Sequence, residues 1–173
     1  MNNRPSWGAS RLARSAVIAA LYAVLALSPS PFGALQLRLS EALTVLPFFY
    51  PEAIAGLTLG CIIVNLFSPF GIIDIVFGSF ATLLGALVTY FLGKRFKKSK
   101  AAFYLAPLPS VVSNAFIIGG ILFYMLSSTD ESAPYLTFVS SIGVSQFFSC
   151  YILGLPFLLA VRKYKARFDG FLA

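Results

Sequence analysis

Of the polar side chains in one of the most apolar stretches of the sequence, between residues 35 and 78, four are candidates for a binding site. They are Arg38, Glu41, Asn65 and Asp74. Carboxylates accept hydrogen bonds, whereas guanidinium and amide groups donate them, so this set has the chemistry to bind a small polar molecule. Because charge inside an apolar segment is costly, it marks functional positions where it occurs. We therefore expect these side chains to form a binding site.

The rest of the sequence offers little for catalysis. It contains no histidine, no nucleotide-binding glycine loop and no cluster with metal-ligand spacing. Cys61 and Cys150 both lie in apolar runs, where cysteine behaves as a small hydrophobic residue, and nothing in their context favours a disulfide. We therefore expect no enzymatic activity, no cofactor and no metal ion.

The composition is that of an integral membrane protein. Of the 173 residues, 58% are hydrophobic and 11% are charged, and the mean hydropathy is +0.86. Soluble domains have about 45–50% apolar and about 25% charged residues. The sequence therefore predicts an all-α integral membrane protein that forms a single membrane domain over residues 1–173.

The formal net charge of +7 is concentrated beside the apolar segments. The basic residues form three groups: Arg4, Arg11 and Arg14; Lys94, Arg95, Lys97, Lys98 and Lys100; and Arg162, Lys163, Lys165 and Arg167. This distribution is typical of the cytoplasmic side of a membrane protein and not of a nucleic-acid-binding surface. We therefore expect the protein to lie in the lipid bilayer and to have no nucleic-acid partner.

Six transmembrane helices are predicted from the apolar runs and the prolines that end them. The approximate ranges are 12–27, 41–50, 52–67, 74–92, 102–126 and 135–161. Ser40 is expected to cap the short second helix, and Pro51 separates that helix from the third. Pro107 and Pro109 interrupt the fifth helix, and Pro156 is expected to bend the sixth.

The basic groups also predict an orientation. With a cytoplasmic N-terminus, six spans place every basic group and the C-terminus in the cytoplasm. The four polar residues of the opening stretch then lie near the outer ends of their helices, as an externally open pocket requires. Glu52 falls at the opposite turn and is expected to be an exposed acid.

Four sequence blocks, in order, resemble the QueT family. They are LRLSEALTVLPFF at residues 37–49, DIVFGS at 74–79 followed by ATLL at 81–84, APLP at 106–109 with Asn114, and CYILGLP at 150–156. The resemblance extends from the first helix to Pro156. The block that contains Arg38, Ser40 and Glu41 and leads into a short helix is the most specific of the four.

The resemblance implies a substrate-binding S component of an energy-coupling factor (ECF) transporter in the bacterial plasma membrane. Family members are assigned to the uptake of queuosine precursors, which are 7-deazaguanine bases such as the aminomethyl base preQ1, the nitrile base preQ0 or queuine. The implied fold has six membrane helices and a pocket at the outer face. The implied partners are a coupling membrane subunit and two ATP-hydrolysing subunits.

The polar residues suit such a ligand. A deazaguanine offers two adjacent N–H donors and one carbonyl acceptor, and charge-assisted paired bonds to a carboxylate are strong. Glu41 and Asp74 are the candidate acceptors. The candidate donors are Arg38, Asn65, Asn114 and Gln146. If the ligand carries an aminomethyl group, the second carboxylate would bind its cation. An aromatic side chain would stack on the flat ring, and the candidates are Phe32, Phe48, Phe77 and Tyr135.

Structural roles remain open for the same residues. Arg38 could anchor the outer surface or pair with Glu41, and both carboxylates could serve only as charges at helix N-termini. The amides could join helices to one another. In the family, Glu52 stands where a small or apolar residue is expected, and Gln146 stands where relatives often carry an acid.

The first helix carries small residues at four-residue spacing, which lets helices approach closely. They are Ala16, Ala19, Ala20 and Ala23. The family resemblance implies a face that docks on the coupling subunit, and the alternative is packing within the chain. For the whole protein, two functional alternatives stay open: an S component for a vitamin of the riboflavin or thiamine type, and a stand-alone secondary transporter of deazaguanine bases.

Overall fold

The computed structural model describes residues 8–28, 39–96, 99–127 and 134–164. In these parts of the chain every regular element is a helix. The elements are α1 (Ala9–Leu27), a 3-10 helix (Leu39–Phe48), α2 (Glu52–Asn65), a first π-helical turn (Asp74–Gly78) that continues into α3 (Ser79–Phe96), α4 (Lys100–Leu105), α5 (Leu108–Leu126), α6 (Tyr135–Phe148), a second π-helical turn (Ser149–Gly154) and α7 (Leu155–Lys163).

In the part of the chain that the structure describes, four helical segments are long and apolar enough to cross a membrane. They are Ala9–Leu27, Asp74–Phe96, Lys100–Leu126 and Tyr135–Lys163. The predicted all-α membrane class is confirmed, and the protein is a multi-pass protein of the cell membrane. The 3-10 helix and α2 have only 10 and 14 residues, whereas a membrane-spanning α-helix needs about 20. The count of six spans, the position of the termini and the single domain stay predictions.

The first helix packs closely against α2, and the two run in the same direction. A Cβ atom on Gly56 would lie 2.7 Å from the carbonyl oxygen of Ser15, and one on Gly60 would lie 2.9 Å from that of Ala19. The glycines therefore allow the backbones to approach to a distance that no larger residue permits. Tyr22, one turn further along α1, contacts Gly60 as well.

This packing divides the predicted docking face of α1. Ala19 and Ala23 are buried within the chain, whereas Ala16 and Ala20 are exposed. The prediction that all four alanines form one docking surface is therefore corrected, because a helix turns by about 100° per residue and the two pairs point in different directions. Only Ala16 and Ala20 are on the surface.

The basic side chains that the structure describes gather at one end of the helices, which we call the basic end. Gly93, beside Lys94 and Arg95, packs against the backbone of Phe48. The guanidinium of Arg162 lies 5.3 Å from the ring centre of Phe103, and that ring packs edge-on against Phe48 at 5.9 Å. The ends of α3, α4 and α7 therefore meet where the 3-10 helix ends.

Glu52 also lies at the basic end, and it is not the exposed acid that the sequence predicted. Its side chain is 5% exposed, and its Oε1 accepts a hydrogen bond of 3.1 Å from Nη1 of Arg14. The hydroxyl of Ser15 donates a bond of 2.8 Å to its backbone carbonyl. The acid is buried because α1 packs directly over the first turn of α2 and supplies a cationic partner.

Pro51 and Pro107 lie between helices as predicted, with local differences. The second helix is a 3-10 helix from Leu39, so Ser40 lies inside it, and its hydroxyl makes no hydrogen bond; the predicted cap is wrong. The fifth helix divides at Ala106, whose carbonyl accepts a bond of 3.2 Å from the hydroxyl of Thr89. Such side-chain bonds satisfy backbone groups that a proline break leaves without a partner.

Candidate functional site

A cavity of about 250 Å³ lies among the helices at the end opposite the basic end. Five of the six predicted binding residues line it: Glu41, Asn65, Asp74, Asn114 and Gln146. They come from the 3-10 helix, α2, the first π-helical turn, α5 and α6. The sixth, Arg38, lies outside the described residues. The structure thus brings together side chains that are up to about a hundred positions apart in sequence.

Glu41 is the most deeply buried acid of the cavity, with 2% exposure. The hydroxyl of Tyr22 on α1 donates a hydrogen bond of 3.1 Å to its Oε1. Its backbone carbonyl accepts a bond of 2.7 Å from the hydroxyl of Thr44. The carboxylate is therefore held from a second helix and still faces the cavity, where it can accept hydrogen bonds from a ligand.

Asn65 and Asp74 form a second polar group across the turn between α2 and α3. Nδ2 of Asn65 donates a bond of 2.8 Å to the backbone carbonyl of Asp74. The hydroxyl of Ser68 donates a hydrogen bond to Oδ2 of Asp74. A Cβ atom on Gly78 would lie 2.6 Å from Nδ2 of Asn65, so this glycine makes room for the asparagine. The Asp74 side chain is half-buried and fixed in direction.

Asn114 and Gln146 are each 5% exposed, and each keeps unused hydrogen-bonding capacity. Nδ2 of Asn114 donates to the carbonyl of Ser110 at 3.0 Å, and Oε1 of Gln146 lies 3.7 Å from Sγ of Cys150. These bonds use Nδ2 of Asn114 and Oε1 of Gln146 and leave Oδ1 of Asn114 and Nε2 of Gln146 for other partners. An acceptor and a donor in the cavity wall suit a polar ligand.

Both π-helical turns border the cavity. The first carries Asp74 and Gly78, and the second begins at Ser149, a lining residue one turn after Gln146. A π-helical turn adds a residue to one turn of the helix and so redirects the side chains beside it, and such turns are frequent at functional sites. Nothing in the hydrophobic pattern of these two helices distinguishes a π-helical turn from an ordinary α-helical one.

Three of the four aromatic residues predicted to stack on the ligand do not line the cavity. Phe48 packs with Phe103 at the basic end, Phe77 is exposed in the first π-helical turn, and Tyr135 packs against Phe123. Phe32 lies outside the described residues. The aromatic residues of the wall are Tyr22 and Phe70. Aromatic residues are so common in this chain that sequence position alone did not single them out.

The remaining wall is mainly apolar. It is formed by Ile118, Ile121, Leu122 and Ile142, with Cys61, Gly78, Thr82, Ser145 and Ser149. Apolar walls with a few convergent polar groups are typical of small-molecule sites, and about 250 Å³ is close to the lower limit of about 300 Å³ for drug-sized ligands. The cavity therefore suits a small, polar molecule.

The sequence of the chain is similar to those of known transporters. The family model described as QueT transporter matches residues 12–163. The queuosine precursor transporter QueT of Lactococcus lactis subsp. cremoris (strain MG1363) is 30% identical over 149 residues, which cover 79% of this chain and 83% of that protein. No solved structure matches the chain. The match spans α1 to α7 and all the described residues of the cavity, and the chain belongs to the QueT transporter family.

Proposed function

We propose that the chain is the substrate-binding S component of an ECF importer and that it binds a queuosine precursor, a 7-deazaguanine base. The observation that carries this proposal is the cavity in which two carboxylates and three amides meet. The name of the Lactococcus relative supplies the ligand class. The hydrogen-bonding face of a deazaguanine is complementary to this set of groups.

Glu41 is the group that we assign to base recognition. A carboxylate accepts the two adjacent N–H bonds of the base at once, and such paired, charge-assisted bonds are stronger than neutral ones. Nε2 of Gln146 is a donor for the ring carbonyl, and Oδ1 of Asn114 is an acceptor for a further N–H of the base. Phe70 and Tyr22 are the aromatic residues available to the flat ring.

The charge distribution supports uptake from outside. Lys94, Arg95, Arg162 and Lys163 lie in the last turns of α3 and α7, at the basic end. Basic residues beside membrane spans favour the cytoplasmic side. With the basic end in the cytoplasm, the cavity opens toward the exterior, and both termini are cytoplasmic in a six-span arrangement.

Coupling to ATP hydrolysis is the part of the proposal that rests on family resemblance. An S component requires a coupling membrane subunit and two ATP-hydrolysing subunits. The exposed alanines of α1, Ala16 and Ala20, are the surface that we assign to the coupling subunit. Small residues permit the close helix contact that such docking requires in lipid.

Ligand binding is tested by calorimetry on the purified protein. We expect deazaguanine bases to bind, and riboflavin and thiamine not to bind. Glu41→Gln should lower the affinity for the base at least about tenfold. The substitution replaces one of the two acceptor oxygens of the carboxylate by an NH2 donor, which cannot accept an N–H bond from the base. Glu52→Gln is the matched control, since it removes a buried carboxylate at the basic end. Vitamin binding, or unchanged affinity in Glu41→Gln, contradicts the proposal.

The transport class is tested in proteoliposomes. The proposal predicts uptake of the base only when the coupling subunit, both ATP-hydrolysing subunits and ATP are present. Bulky substitution of both exposed alanines, Ala16→Leu with Ala20→Leu, should abolish uptake while calorimetric binding remains. Uptake by the chain alone would assign it instead to the stand-alone secondary transporters.

A further inference from the structure

The cavity holds two carboxylates that differ in depth and in partners. Glu41 is almost fully buried, and Tyr22 holds it from α1. Asp74 is half-buried in the turn that joins α2 to α3, beside the aromatic lining residue Phe70. Two acids in one small cavity are an unfavourable arrangement unless positive charge accompanies one of them. Their unequal burial suggests unequal roles.

The charge of Asp74 has no cationic partner among the described lining residues. That lining contains neither lysine nor arginine. The described hydrogen bond to the Asp74 carboxylate comes from the Ser68 hydroxyl, a neutral donor, and it occupies Oδ2. Oδ1 remains able to accept a bond from a ligand. A half-buried carboxylate that has no cationic partner among the described lining residues favours a ligand that carries positive charge.

The surroundings of Asp74 hold the carboxylate in one direction. Asn65 bonds to its backbone carbonyl and Ser68 to its side chain. The π-helical turn begins at this residue, and Gly78 at the end of that turn contacts Asn65. A carboxylate fixed by neighbours loses little conformational entropy when it binds a ligand, so its contribution to affinity and selectivity is larger.

We propose that Asp74 is the subsite for an ammonium group on the ligand, so that the chain selects 7-deazaguanine bases with a cationic substituent over neutral ones. This inference rests on the proposed function and adds a distinction within its ligand class. Glu41 recognises the edge that all deazaguanines share, whereas Asp74 recognises the substituent. A protonated aminomethyl group or secondary amine donates hydrogen bonds to the Asp74 carboxylate. A nitrile cannot do so, because its nitrogen is an acceptor and so is the carboxylate.

Calorimetry with three ligands tests the assignment: 7-aminomethyl-7-deazaguanine, 7-cyano-7-deazaguanine and unsubstituted 7-deazaguanine. The native protein should bind the aminomethyl base at least about tenfold more tightly than either neutral base. Asp74→Asn should remove this difference, because it lowers the affinity for the aminomethyl base more than the affinity for the neutral bases. A melting transition in detergent like that of the native protein shows that the variant is folded.

Glu41→Gln is the variant for comparison with Asp74→Asn, since it should lower the affinity for all three ligands by a similar factor. Equal affinity of the native protein for cationic and neutral bases would overturn the inference and leave the proposed function intact. An equal loss for all three ligands in Asp74→Asn would also overturn it, because Asp74 would then recognise the shared ring. If none of the three bases binds, the proposed function itself fails.

Discussion

The hydroxyl of Tyr22 donates a hydrogen bond of 3.1 Å to the carboxylate of Glu41. This bond joins α1, which carries the exposed Ala16 and Ala20, to the 3-10 helix that supplies the deepest acid of the cavity. The proposed binding site and the proposed docking surface therefore share one helix. Substitution of the residues that hold α1 in place is therefore the most direct test of the structure.

Tyr22→Phe should weaken binding of the deazaguanine base without unfolding the protein. The substitution removes one donor to a buried carboxylate and keeps the ring that packs on Gly60. Loss of a hydrogen bond to a charged group costs about 1.5–3 kcal/mol, which corresponds to roughly a 10- to 150-fold loss of affinity. Calorimetry measures the change. Unchanged affinity would mean that Tyr22 does not position Glu41 for the ligand.

Gly78→Ala should lower both stability and ligand affinity. The added methyl group would lie 2.6 Å from Nδ2 of Asn65, so the asparagine must move and lose its bond to the backbone of Asp74. Overpacking of this kind costs about 1–3 kcal/mol. The melting temperature in detergent and calorimetry report the two effects.

Gly120→Ala is the matched control for that substitution. A Cβ atom there would lie 3.8 Å from the ring of Tyr135, which is an ordinary contact. Alanine is also the better helix former by about 1 kcal/mol, so this variant should be as stable as the native protein or more so. Equal melting temperatures for the two variants would contradict the tight contact at Gly78.

Gly56→Ala and Gly60→Ala should each destabilise the protein by separating α1 from α2. Their methyl groups would lie 2.7 Å and 2.9 Å from backbone carbonyl oxygens of α1, and a backbone cannot move aside as a side chain does. We expect a loss of about 1–3 kcal/mol for each, measured as a lower melting temperature. A double variant that loses no more than either single one would show that the two glycines relieve the same contact.

Glu52→Gln should lower stability and leave ligand affinity unchanged. It removes the partner of Arg14 at the basic end, away from the cavity. Because the Arg14 side chain is 22% exposed, solvent screens part of the interaction, and we expect a loss of about 1–3 kcal/mol, below the full cost of breaking a buried pair. Reduced affinity in the folded variant would indicate coupling between the two ends.

The helices and most of the candidate site could be predicted from the sequence alone. Apolar runs and prolines act locally, so helix ranges followed from them within a few residues. Polar side chains in apolar segments are costly, and this cost singled out Glu41, Asn65 and Asp74 as residues that need a partner. Family resemblance added Asn114 and Gln146.

The tertiary structure decided the features that depend on how helices face one another. Glu52 is buried because Arg14 and Ser15 of α1 lie over it, and Tyr22 reaches the cavity because Gly56 and Gly60 bring α1 against α2. Because one side of α1 packs within the chain, Ala19 and Ala23 are buried, whereas Ala16 and Ala20 are exposed. Such contacts join residues distant in sequence, so local hydrophobicity does not encode them, and side-chain packing between helices determines them.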